Sequence, residues 1–193
     1  MPRLTYAGVT NPAGVTSNKA TGGGNTSVNL GTPPTGTEAP TSGGYSGLLD
    51  DGTRWTTNSA NNYAYEEFRC CLPTFIKSSS VLAINFYWKG VMGLTGGGSF
   101  SGGGGKGYIY NFNTAAWEQF FTTTWDGGPA VDQIFSIIKV NPQNYINASN
   151  YSYIGVISQE QGDGSSTPST CKTNYVYFDV NVRAGFFINF IKQ

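Results

Sequence analysis

From Gly47 onward the apolar residues of this chain recur with a period of two, and that alternation narrows the fold more than any other feature. Successive side chains of a strand point to opposite faces, whereas one face of a helix needs a repeat near 3.6. Residues 63–72 alternate, with Ala64, Phe68, Cys70 and Leu72 on or near one face. Pro73 ends that run, because proline cannot donate to a ladder. Residues 81–88 are apolar on both faces, with Leu82, Ile84, Phe86 and Trp88 sharing one side, as a central strand requires. Residues 107–112 turn at Asn113-Thr114 and return through 117–121 as a hairpin. Residues 151–157 and 175–182 are further strands, and 186–191 either extend the last one or pair separately. Residues 129–140 fit both periods: Val131, Ile134, Phe135 and Ile138 match a helical face. A strand is favoured there because no other helix is evident. About seven strands joined by Gly-, Ser- and Asn-rich connections predict an all-β fold, an antiparallel β-sandwich (jelly roll) over 47–193. The longest connections, 93–107 and 161–170, read as loops.

Residues 1–46 read as an extended Gly/Thr/Pro-rich N-terminal arm. Thr21-Gly22-Gly23-Gly24-Asn25 and the stretch 31–37 cannot hold a helix. One reading is a disordered tail. The other is an arm that becomes ordered on a neighbouring subunit. Two apolar islands support the second: Leu4, Tyr6 and Val9, and then Val28 and Leu30, which alternate as an edge strand would. These five are the candidate subunit contacts. Arg3, Lys19 and Glu38 are nearly all the charge in the arm, less than a solvated linker usually carries.

Composition removes several functions. A chain of 193 residues is sized for one domain, perhaps with an appended arm. Charged residues make up 11%, and eleven basic residues cancel eleven acidic ones. Such a chain cannot draw its affinity from phosphate, so no nucleic-acid partner is expected. No apolar run approaches the roughly 20 residues of a membrane span, and residues 1–9 lack the pattern of a signal peptide. The absence of histidine excludes Ser-His-Asp triads, Cys-His dyads and histidine-ligated metals. Cys70 and Cys71 are adjacent and point to opposite faces, so at most one of them could meet Cys171. Buried thiols are the favoured reading, with a bridge from Cys171 to Cys70 or Cys71 as the alternative. That usage suits synthesis in a reducing cytoplasm.

Four segments in order, 63–70, 82–90, 107–118 and 173–182, together resemble a jelly-roll domain of the galactose-binding-like, carbohydrate-binding-module type. Such domains recur in microbial surface proteins and in virus particles. The most specific piece is the hairpin Ile109-Tyr110-Asn111-Phe112-Asn113-Thr114-Ala115-Ala116-Trp117-Glu118. The resemblance spans about residues 50–183 and leaves the arm unexplained. It implies a non-catalytic binding or structural role, and a structural calcium near the first strand, to which Asp50 and Asp51 could contribute. They lack the spacing of a complete calcium loop, and no other cofactor is expected.

The remaining candidates are weaker. Gly102-Gly103-Gly104-Gly105-Lys106-Gly107 contains a G-x-G-x-x-G string, but it precedes a strand instead of opening a helix, so it reads as a flexible loop. Glycoside hydrolysis needs two carboxyl groups about 5–10 Å apart. Glu66 and Glu67 are neighbours on opposite faces, and only the fold could bring Glu118 near Asp179; all four read as surface or turn groups. Trp55, Trp125 and Tyr145 sit in Asn/Thr-rich, loop-like surroundings and are the candidate sugar or partner contacts, whereas Trp88 and Trp117 read as core. The leading expectation is a non-enzymatic virion structural protein made in the host cytoplasm. It would be a capsid decoration or stabilising protein, or a fibre or tail component. Its arm and sandwich would bind other subunits, with a homo-oligomer expected. The alternatives are a carbohydrate-binding module recognising a surface glycan, and an extracellular filament subunit whose arm donates a strand.

Overall fold

Ile84, Phe86 and Trp88 enter the core from one antiparallel sheet, and Phe68, Ile109 and Ile154 enter it from another. The computed structural model of the chain describes residues 3–5, 19–31, 33, 54–72, 76–96, 99–125 and 131–182. Ten strands form among them: β1 (Arg3–Thr5), β2 (Lys19–Asn25), β3 (Trp55–Ser59), β4 (Tyr63–Cys71), β5 (Val81–Gly96), β6 (Ser99–Asn111), β7 (Ala116–Trp125), β8 (Gln133–Val140), β9 (Tyr151–Ser158) and β10 (Ser169–Val182).

In the first sheet β10 pairs β5 on one flank and both β3 and β1 on the other, and β8 lies against the far side of β5. The second sheet runs β7–β6–β9–β4–β2. β6 belongs to both: its first residues pair β5, and from Gly103 on it pairs β7. The architecture is the antiparallel β-sandwich expected from the alternation, and the ambiguous segment at 133–140 is a strand.

Several expectations are corrected. The glycine run 102–107 is not a loop but part of β6, where it carries the strand from one sheet to the other. Gly104 sits at φ +124°, and a Cβ there would strike the Thr123 carbonyl, so only glycine lets the strand bend at this point. The arm's strands are β1 and β2, the latter including Thr21-Gly22-Gly23-Gly24-Asn25, and neither includes Val28 and Leu30. Trp55 is no exposed platform. It opens β3 opposite Thr173 and is fully buried, its ring edge-on to Phe68 at 5.5 Å. β3 extends the sheet beside β10, so its inward residues join the core.

Aromatic packing fills the space between the sheets. Phe121 stacks on Phe135 at 3.9 Å and on Trp88 at 5.4 Å. Burying each such side chain is worth about 1.5–3 kcal/mol. Glu66 shares the inward face of β4 with Ala64 and Phe68 and is fully buried, and Glu67 on the opposite face is buried too, contrary to the surface positions expected of both. The three cysteines remain thiols, Cys70 and Cys171 in the core and Cys71 half-buried. Burial pushes the Cys70 and Cys171 thiols up, away from the reactive thiolate.

Candidate functional site

The site lies on the outer face of the second sheet, at the β6–β7 hairpin. Ile109 points into the core, so its neighbours Tyr108 and Tyr110 point out. Tyr110 is directly opposite Trp117 on β7, with the rings edge-to-face at 5.2 Å. Phe112 meets Tyr110 at 5.1 Å, and Tyr153 of β9 meets it at 6.2 Å. Tyr110 is therefore the hub of an aromatic cluster outside the main core. Tyr108 is the most buried of the hairpin tyrosines, and that burial raises its phenol pKa.

A hydrogen-bonded turn holds the hairpin in shape. Asn111 Oδ1 accepts from the main-chain N–H of Asn113 at 2.9 Å and of Thr114 at 3.3 Å, an Asx turn. Asn111 Nδ2 donates to Glu118 Oε1 at 2.6 Å, and this bond is the main reason that Glu118 titrates below the usual carboxylate range. Tyr145 donates to the other oxygen of Glu118 at 2.7 Å, and Lys139 reaches it at 3.4 Å. Every partner of this carboxylate is a structural one.

The opposite wall is the segment that follows β2. Asn25 Nδ2 donates to the Asn29 carbonyl at 2.6 Å and closes the bend. Leu30 then sets its side chain down on Gly155 of β9, where a Cβ would collide with it. The indole N–H of Trp117 donates to the Gly31 carbonyl at 2.8 Å. Between this strap and the hairpin lies an open cleft of about 500 Å³, bounded by Asn29, Leu30 and Gly31 on one side and Tyr108, Tyr110 and Trp117 on the other. No charged side chain lines it. Its size is that of a small-ligand cleft, about 300–1,000 Å³.

The residues singled out in the sequence fall differently. Leu30 is at the cleft, on its own chain, and Val28 is half-buried in the same strap. Leu4 lies in β1 opposite Phe178, again of the same chain. Trp125 is the last residue of β7, opposite Gly103. Tyr145 is half-buried in a short 3-10 turn, packed against the core and bonded to Glu118. Glu118 and Asp179 stand on different sheets, on β7 and β10. Tyr6, Val9, Asp50 and Asp51 lie outside the described residues. Among the described residues no three His, Cys, Asp or Glu side chains gather as a metal site. Trp117, read as core, lines the cleft instead, because the outward face of a hairpin at a sheet edge is not covered by the other sheet. Tyr108 and Tyr110 were not singled out, although alternation about Ile109 places both on the outward face.

No protein-family model matches the chain, and no curated protein matches it. A solved structure described as "CBM4 structure and function" is similar over 86% of this chain and 95% of its own, with 8% sequence identity and a TM-score of 0.36.

Proposed function

We propose that the protein is a non-catalytic binding module that takes a neutral glycan in the cleft between the β6–β7 hairpin and the strap. The observation that carries this reading is the pair Tyr110 and Trp117, half-buried on the wall of an open, uncharged cleft. The weakly positive C–H face of a pyranose packs on the negative face of an aromatic ring. The Asn29 side chain, exposed at the rim, is an amide that both donates to and accepts from hydroxyls. A lining without charge suits a neutral sugar and offers a uronate or sialylated sugar no counter-charge. Binding to a panel of neutral and acidic oligosaccharides tests this. Neutral ligands should bind, and Trp117→Ala and Tyr110→Ala should each weaken them about 10-fold or more with the fold intact, since 1.4 kcal/mol is a factor of ten. Retained affinity in both variants refutes the site.

A second reading, an assembly subunit of a virion or an extracellular filament, is favoured by a different surface. All the exposed large hydrophobics among the described residues gather at β8: Val131, Ile134, Ile138 and Val140, with Leu82 beside them. Ile138 and Val140 are 65% and 71% exposed, and β5 is the one described strand that β8 pairs. An open apolar edge of that kind pairs readily with another edge. A chain without net charge does not repel its own copies, so the occupant in this reading is a second copy. Light scattering decides it: an oligomer that Ile138→Lys splits into monomers supports assembly, and a monomeric parent rejects it. The arm lends this reading less than its composition suggested. Residues 3–5 and 19–25 pair with strands of their own chain.

A further inference from the structure

Two openings lie on the outer face of the second sheet, one on each side of the strap. The larger is the 500 Å³ cleft over β6 and β7. The smaller, of about 140 Å³, lies over β4 and β2, beside Tyr65 and Glu67. Gly31 lines both. Leu30 lines the larger one and is seated on Gly155 of β9, the middle strand of the five. The seat is shaped for its occupant: any side chain at 155 would take the space that Leu30 fills. The strap is also pinned on both sides of Leu30, by the Asn25–Asn29 bond before it and by the Trp117–Gly31 bond after it. The strap, held from Asn25 to the Trp117 indole, thus separates an opening over β6 and β7 from one over β4 and β2.

We infer that Leu30 and Gly31 make the cleft blind-ended, so that it takes the terminus of a neutral glycan chain and not an internal stretch. This rests on the glycan reading above and adds the form of the ligand to it. A terminal sugar seated against Tyr110 and Trp117 meets Leu30 at β9 and cannot run on toward Tyr65. The rest of the chain leaves past Ala115 and Ala116, the small exposed residues through which the hairpin end lines the cleft. The Trp117 indole N–H, already committed to Gly31, fixes the ring and the strap relative to each other.

Titration calorimetry on the full chain separates the two ligand forms. The probes are gluco-, xylo- and manno-oligosaccharides from disaccharide to hexasaccharide, with free and with chemically blocked termini. In the parent protein, affinity for the series that binds should level off by the trisaccharide, and blocking the accepted terminus should cost about 10-fold or more. Leu30→Gly removes the side chain that seats the strap, and Gly155→Ala displaces it from below, its Cβ meeting Leu30 first and the edge of the Trp117 ring at 3.3 Å. In both, affinity should go on rising to the hexasaccharide, by about three-fold or more, as added rings find surface beyond β9. Near-UV circular dichroism like that of the parent shows that each variant keeps the sandwich. A parent affinity that already climbs to the hexasaccharide, or a plateau unchanged in both variants, overturns the inference and leaves the glycan reading standing. No binding of any series by all three proteins overturns both.

Discussion

Thr173 Oγ1 donates to Glu66 Oε2 in the middle of the core, and the same hydroxyl accepts the indole N–H of Trp88 at 2.8 Å. The chain Trp88–Thr173–Glu66 ties β5 and β10 of one sheet to β4 of the other. The carboxyl group is fully buried there, and burial raises its pKa from 4.5 to about 8. At neutral pH Glu66 is an uncharged acid.

That gives stability a definite pH dependence. Between about pH 4.5 and pH 8 the folded protein keeps a proton on Glu66 that the unfolded chain has already lost. The stabilisation is therefore complete below the unfolded pKa and is lost as pH rises toward the folded one, by at most about 1.4 kcal/mol per pH unit from this group. Urea midpoints measured from pH 5 to about pH 8 should fall with pH, and Glu66→Gln should flatten the slope. An equal slope in the variant would place the titration elsewhere.

Trp55 and Trp117 should lose very different amounts of stability to the same substitution. Trp55→Ala empties a fully buried site against Phe68 and should cost about 3–5 kcal/mol, enough to unfold much of the protein. Trp117→Ala removes a half-buried ring and its bond to Gly31; about 1–2 kcal/mol of stability should go with them. Thermal melts of both variants check the contrast.

Asn111→Ala deletes three hydrogen bonds at once, two to the turn and one to Glu118. The loss should be about 1–3 kcal/mol. Hydrogen exchange should concentrate the effect at residues 108–118 and leave β4 and β10 protected. Exchange rising evenly over the whole chain would mean that the hairpin has no local stability of its own.

Ile138→Lys replaces a side chain that is exposed and points away from the core. Monomer stability should stay within about 0.5 kcal/mol, as at other surface positions. A larger loss on chemical denaturation would show that something covers this face.

Most of the strands were legible from alternation, because which face a residue takes depends only on its neighbours in the chain. The run 63–72 and the hairpin at 109–118 follow from that rule; 81–88 was legible as an apolar run, and 133–140, which fits both periods, only because no other helix was evident. The glycine run of β6 was not legible, since glycine marks permission to bend and says nothing about the ladder that uses it. The cleft was not legible: its rings are in the hairpin motif, but Trp117 read as core, and the other wall comes from Leu30 and Gly31, more than eighty residues away from Trp117.

Local order along the chain thus settled the strand class and the hairpin turn at Asn113-Thr114, and alternation about Ile109 fixes the face of Tyr108 and Tyr110. It could not say which faces would be covered. Trp55 is buried and Trp117 lines a cleft because β3 was laid beside β10 and the hairpin came to the outer rim of its sheet. Glu66 is sealed among Trp88, Thr173 and Phe68 for the same reason. Coverage depends on which distant strands pair, and such pairings join residues far apart in sequence whose meeting no short window records.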